Sequence, residues 1–246
     1  MNKIMQTYDL HYIYKQKSKL LTTLLITLFI TLFSFNTYAQ EKVTTKVGEF
    51  NSLKVFNSLD VELIKSNEQK VVVSGKNAEK IKVKLKNQML KISVEISGIF
   101  NSKDVAIQIY YAGPINVIDV NEGAKITADH VIKQSALELR AQEGSMIELD
   151  VDLRYLNVKS VSGSRIETTG FTENQNITLS LGGVYNGYGL KSNQTTISAA
   201  TGGIGHVTVQ DVLNAKVKIG GEIYYKGTPS AINKDKILGG KIENVQ

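Results

Sequence analysis

The sequence contains no cysteine and no tryptophan, and only two prolines. Without cysteine there is no thiol for a lipid anchor at a cleavage point, no disulfide framework and no thiolate metal ligand. Stability must then come from burial and backbone pairing alone. Histidine is scarce too, with only His130 and His206 beyond residue 39, which excludes a His-rich metal centre by count. An excess of one charge is also missing. The formal net charge is +6, and Lys3, Lys15, Lys17 and Lys19 against Asp9 place half of it in residues 1–39. The rest carries 25 Lys plus Arg against 22 Asp plus Glu, with no dense basic run. Nucleic acid is therefore not an expected partner.

What is present begins with an export signal. Lys15, Lys17 and Lys19 precede an uncharged run from Leu20 to Phe35, apolar apart from Thr and Ser. The run is short for a bilayer span and suits a signal-peptide core. Thr37 and Ala39 stand at −3 and −1 of a cleavage site before Gln40. Residues 1–39 are read as a signal peptide, leaving no transmembrane segment after cleavage. The mature chain is expected in the periplasm, on the outer surface or secreted, without a lipid anchor.

From Gln40 onward apolar residues alternate with polar ones, the period of half-buried strands. Val61 and Leu63, Ile81, Val83 and Leu85, then Leu90, Ile92, Val94 and Ile96 show it, as do Val105, Ile107 and Ile109. Lys86-Asn87-Gln88-Met89 reads as a hairpin turn, and Gly113-Pro114 as a boundary. Residues 40–113 are therefore expected to form an N-terminal strand portion. About six strands are expected over 47–113, mostly antiparallel because their connections are short.

Beyond Pro114 the texture changes. Sixteen of the twenty glycines lie at or after Gly123, and they keep a period. Gly123, Gly144, Gly163, Gly182, Gly202 and Gly220 are spaced 21, 19, 19, 20 and 18 residues apart, each followed by a small residue. Five residues before each stand Ile118, Leu139, Val158, Ile177, Ile197 and Ala215. Three after stand Ile126, Ile147, Ile166, Tyr185, Gly205 and Ile223. One coil of about 20 residues cannot bury its own apolar row, but stacked coils turn the rows into a continuous core. The glycines become corners, where φ > 0 is required and neighbouring coils approach closely. The fold class is all-β, a β-solenoid over residues 114–230, followed by a polar C-terminal tail, 231–246.

Phe50-Asn51-Ser52-Leu53-Lys54-Val55 with Leu59-Asp60-Val61-Glu62-Leu63, the Gly-small corners, and Ile223-Tyr224-Tyr225-Lys226-Gly227-Thr228-Pro229 together resemble the putative auto-transporter adhesin, head GIN domain family. The resemblance covers about residues 47–230. It implies a right-handed parallel β-helix with an antiparallel N-terminal portion, and it implies no catalytic residues. The chain departs from the family pattern at Gly182–Gly205, where extra glycines, Tyr185 and Tyr188 replace small-plus-aliphatic units.

No cofactor or metal set emerges. Glu148, Asp150 and Asp152 alternate along one strand and face outward together, as on a solvated face. A polysaccharide-active enzyme would draw on Arg140, Arg165, Asp119, Glu122 and Glu143, charges of both signs that a solenoid surface ordinarily carries. No histidine falls beside the corner residues Ser145, Ser162 and Ser164, and His130 reads as a surface histidine next to Asp129. Binding fits better: Tyr188 and Tyr224, with His206 between them in sequence, are the exposed candidates, while Tyr185 and Tyr225 fall at inward positions. The expected function is non-catalytic, adhesin-like binding in the cell envelope, of a polysaccharide or an envelope protein. A polysaccharide-active enzyme and a ligand-free scaffold are the alternatives. Solenoid ends and edges also offer a route to homo-oligomers.

Overall fold

A computed structural model describes residues 14–17, 19, 21–24, 41–95 and 104–245. The chain divides into two units, 1–39 and 40–246. In the first, residues 14–17, 19 and 21–24 are helical; most of the expected signal-peptide core, with its cleavage site, lies outside the described residues. Among the described residues no helix is long and apolar enough to cross a membrane.

The second unit is a stacked parallel β-solenoid of about seven turns. Its described strands, in chain order, are β1 (Lys42–Lys46), β2 (Ser52–Val55), β3 (Asp60–Lys65), β4 (Lys70–Gly75), β5 (Ile81–Lys86), β6 (Met89–Val94), β7 (Val105–Tyr111), β8 (Val117–Val120) and β9 (Lys125–Ala128). They continue as β10 (Ile132–Ala141), β11 (Met146–Val161), β12 (Arg165–Ser180), β13 (Val184–Ala200), β14 (Ile204–Lys218), β15 (Glu222–Lys226), β16 (Ala231–Ile237) and β17 (Lys241–Asn244). From β8 on, every coil pairs in parallel with the next, with partners such as Val158↔Ile177↔Ile197↔Ala215. The expected inward rows are buried, Ile118, Leu139, Ile177, Ile197, Ile126, Ile147, Ile166 and Ile223 completely so.

All six expected corners adopt the left-handed conformation, and so does the residue before each glycine. Ser162 and Gly163 have φ of 53° and 73°, and Thr201 and Gly202 of 49° and 70°. Such a pair makes the tightest two-residue turn, and the next coil accepts the glycine N–H: Gly163 N donates to Leu181 O at 3.0 Å, and Gly144 N to Ser162 O at 3.1 Å. The following small residue lies where coils nearly touch. Ser164 Oγ donates to Ala141 O at 2.7 Å, and a Cβ on Gly183 would come within 2.0 Å of Ser160 O.

The N-terminal portion differs from the antiparallel expectation in one respect. Antiparallel pairs exist, β1 with β4, β4 with β7 and β5 with β6. But β2 and β3 pair in parallel on both sides, with β6 and β8, and with β7 and β9. They form a further coil whose corner is Asn57-Ser58, with φ of 63° and 54°. Ser58 N donates to Glu122 O at 2.8 Å, which stacks this corner on Gly123. Gly113-Pro114 joins β7 to β8 within one continuous core rather than separating two. In β5 neither face is buried, and Leu85 is exposed together with Lys84 and Lys86.

Residues 231–246, expected as a polar tail, instead contain β16 and β17, which pair in parallel with β14 and β15 around a corner at Leu238-Gly239. Their pattern looks polar because the inward rows end in charge. Lys234 stands in register with Ala215, and Lys236 with Val217. Lys234 Nζ lies 4.9 Å from the centre of the Tyr225 ring, over the end of the core.

Coils four and five, where the chain departs from the family pattern, keep their corners and widen between them. Tyr185 points inward, fully buried as expected. Its hydroxyl lies 2.7 Å from Thr168 Oγ1 and donates to Gln175 Oε1 at 3.0 Å. Gln175 Nε2 in turn donates to Ser192 Oγ and Thr195 Oγ1, each at 3.0 Å, closing a satisfied network inside the solenoid. A Cβ on Gly187 would stand 2.6 Å from the Tyr185 ring, so this glycine makes room for it. The register shift between Gly187 and Lys191 then throws out a bulge that carries Tyr188.

Candidate functional site

The three candidate binding residues come from three successive coils. His206 on β14 is in register with Tyr224 on β15 and with Asn186 on β13. Tyr188, two residues beyond Asn186, is aimed over His206 by the bulge, and its carbonyl accepts from Thr208 Oγ1 at 2.9 Å. The ring centres of Tyr188 and His206 are 4.9 Å apart, and those of His206 and Tyr224 are 5.5 Å apart at 15°, a stack. The structure thus builds one aromatic column out of residues separated by 18 positions each in sequence. All three rings are half-buried rather than fully exposed.

Charge frames the column. Lys226 Nζ lies 4.7 Å from the Tyr188 ring centre, and Lys241 Nζ 5.0 Å from that of Tyr224. The Tyr224 hydroxyl donates to Glu222 Oε2 at 2.7 Å. Burial lowers the His206 pKa, and the nearby Arg165 guanidinium adds to this, so the imidazole is neutral at pH 7. The hydrogen bond to Glu222 raises the Tyr224 pKa, and burial raises that of Tyr188. The column therefore presents uncharged rings with polar tips, flanked by lysines, a surface suited to stacking.

Of the residues weighed for catalysis, Asp119 on β8 and Arg140 on β10 stand in register and line one cleft with Glu138 and Lys159. Asp119 is buried and bound by Lys54 Nζ at 3.1 Å, while Arg140 Nε donates to Glu138 Oε1 at 2.7 Å. Glu122 accepts from Asn57 Nδ2 at 2.6 Å. Glu148 pairs with Lys125 and Asp152 with Lys133. Among the described residues no three His, Asp or Glu side chains are grouped to hold a metal ion. His130 is less isolated than expected: Asp129 Oδ1 lies 2.8 Å from its Nδ1, and the Tyr111 hydroxyl 2.7 Å from its Nε2. This chain of contacts ends in a buried phenol whose pKa burial, aided by Asp129, pushes up to about 12. That is the opposite of the shift an activated nucleophile needs.

One surface feature escaped the sequence reading. Tyr155 is 48% exposed and opens onto a face of side-chain amides on the strand segments that precede the corners. A signal for it exists: Asn157, Asn176, Thr196, Asn214 and Asn233 each stand six residues before a corner glycine.

The family model described as putative auto-transporter adhesin, head GIN domain, matches residues 49–229. The chain belongs to that family. No curated protein matches the sequence. Among solved structures, a putative adhesin from Bacteroides fragilis superposes with a TM-score of 0.78 at 20% identity, over 85% of this chain and 98% of that one. A putative adhesin from Parabacteroides merdae gives a TM-score of 0.65 at 15% identity, over 85% and 98%. A putative lipid binding protein from Parabacteroides distasonis gives 0.63 at 16%, over 84% and 98%. At these identities the likeness is one of fold, which the head GIN domain shares across differently named proteins.

Proposed function

We propose that this head GIN domain protein is an exported, non-catalytic binding protein of the cell envelope, and that it holds a polysaccharide chain against Tyr188, His206 and Tyr224. The observation that carries the reading is the aromatic column. Three coils each contribute one uncharged ring to a single outward stripe, although nothing in the solenoid core requires aromatic residues there. Sugar rings stack on such platforms, and the flanking Lys226, Lys241 and Glu222 supply hydrogen bonds. The adhesin names of the family and of its structural neighbours agree with a binding role, and the Lys15–Ala39 leader pattern agrees with export.

A glycan array probed with the purified protein, and with Tyr188→Ala and Tyr224→Ala, tests the site. Retention on a defined polysaccharide that both substitutions weaken by tenfold or more supports it. Binding that survives both substitutions removes the column from the account. Failure to bind any glycan shifts the reading to an envelope protein as ligand. Export is tested separately by fractionating cells: a full-length chain, leader intact, in the cytosol contradicts it.

A further inference from the structure

The second face of the solenoid carries a different chemistry. On the segments before the corners, Asn157, Asn176, Thr196, Asn214 and Asn233 stand in mutual register across β11, β12, β13, β14 and β16. Adjacent rungs lie one strand spacing apart, so the row runs roughly 19 Å along the solenoid axis. Beside it a parallel row begins with Tyr155 and continues through Asn174 and Gln194, again in register. Apart from Asn233, they line a shallow groove of about 460 Å³ with no charged side chain in its walls; Asn233 lines the adjoining depression with Lys216, Lys234 and Asp235. Charge is plentiful on either side: Arg154 pairs with Glu173, and Lys216 with Asp235. The groove is thus an uncharged strip on a highly charged surface.

Most of its amides are also unused. Asn233 Nδ2 donates to Asn214 Oδ1 at 2.8 Å, whereas Asn157, Asn174, Asn176, Gln194 and Thr196 make no side-chain hydrogen bond to any described residue. An asparagine ladder kept for structure would bond within the chain. Each of these side chains instead offers a donor and an acceptor outward at a fixed repeat. The Tyr155 ring, held by the Arg154 guanidinium 5.7 Å from its centre, forms a platform at one end.

From this array we infer that the amide face is a second binding site, distinct from the aromatic column, for a neutral, polyhydroxylated glycan chain lying along the solenoid axis. The chemistry selects that occupant. Nucleic acid and acidic polysaccharide need cationic side chains, which the groove lacks. Protein interfaces concentrate their energy in aromatic, Arg and other large anchors that fill pockets, and a lone tyrosine beside a row of amides does not supply them. Sugar hydroxyls both donate and accept, as amides do, and a sugar ring can cover Tyr155.

The test measures retention of the purified protein in native gels containing a neutral polysaccharide (a β-1,3-glucan, a β-1,4-glucan, a xylan or a mannan), with alginate as the acidic control. The variants are Tyr155→Ala and the exposed pair Asn157→Leu with Asn176→Leu, each made and compared in a protein that already carries Tyr188→Ala. The expected result is retardation by at least one neutral polysaccharide and none specific to alginate. Retardation should fall tenfold or more in Tyr155→Ala and in the leucine pair, with melting temperatures unchanged. Because Tyr188→Ala removes the column from every protein compared, the retardation read is that of the amide face alone. Retardation by none of the neutral polysaccharides overturns the inference. So does retardation that survives both amide-face variants. If a variant lowers the melting temperature, protection of the Asn157 and Asn176 backbone amides by the polysaccharide in the unaltered protein decides instead, and no protection there overturns the site.

Discussion

At the residue scale the corners divide their work between two adjacent positions. Gly163 needs its left-handed φ of 73°, but a Cβ there would meet nothing within 4 Å. Gly163→Ala should therefore cost about 1–2 kcal/mol from conformation alone, Gly163→Asn less, and Gly163→Val more. Gly183 faces the carbonyl of Ser160, so Gly183→Ala should be the more damaging substitution, at about 3 kcal/mol, because it pushes two coils apart. Urea denaturation of the three alanine and asparagine variants gives the order; Gly163→Ala costing more than Gly183→Ala contradicts this division. Inside the coil, Tyr185→Phe leaves Gln175 Oε1 without its donor and should cost about 1–3 kcal/mol. His206 adds a pH dependence. Its folded pKa is depressed by burial, so the unfolded chain binds the proton more readily. Its stabilising contribution is complete above the unfolded value of about 6.5 and falls away as the pH drops toward the folded one. Melting temperature measured across that window should fall less steeply in His206→Gln than in the unaltered protein. The corner glycines and the inward place of Tyr185 could be read from spacing. The outward amide row has the same spacing, but polar residues on a strand carry no signal of their own when solvation accounts for them equally well.

At the element scale the sequence period reaches as far as the corners use glycine. The coil made by β2 and β3 turns at Asn57-Ser58, and 65 residues separate Ser58 from the next corner at Gly123. Chain that returns through β4, β5, β6 and β7 fills that gap, so no spacing argument could join the first coil to the second. The last coil keeps its corner glycine, Gly239, and was hidden instead by Lys234 and Lys236 at positions in register with the inward Ala215 and Val217. Coils four and five show the reverse. Their extra glycines looked like irregularity, yet Gly187 and Gly205 are the space that lets Tyr185 and Ile197 point inward. Gly205→Val should destabilise the fold, because its Cβ would stand 2.4 Å from Ile197 Cδ1. The bulge that lifts Tyr188 over His206 follows from the same crowding, which is how a packing solution inside the coil sets up a surface feature outside it.

At the scale of the whole molecule, a parallel solenoid must end somewhere without inviting another copy. The antiparallel strands β4, β5 and β7 flank the first coil. At the other end Lys234 and Lys236 occupy core rows, a charged stop on the open edge. This works against the end-to-end association that bare solenoid ends would favour. Replacing both lysines with isoleucine should extend the apolar rows and produce concentration-dependent assembly, seen as a rise in mass by light scattering; a strictly unchanged mass would show that the lysines are not the stop. With its ends closed, the molecule has its two long faces left for contact, one bearing the aromatic column and the other the amide row.

The measurement closest to the central claim is calorimetric titration of the purified protein with the polysaccharide selected on the array, repeated with Tyr188→Ala. The account predicts that affinity falls at least tenfold, about 1.4 kcal/mol, while the melting temperature is unchanged. Equal affinities for the two proteins would contradict it, and would leave the column as packing on the outside of a solenoid.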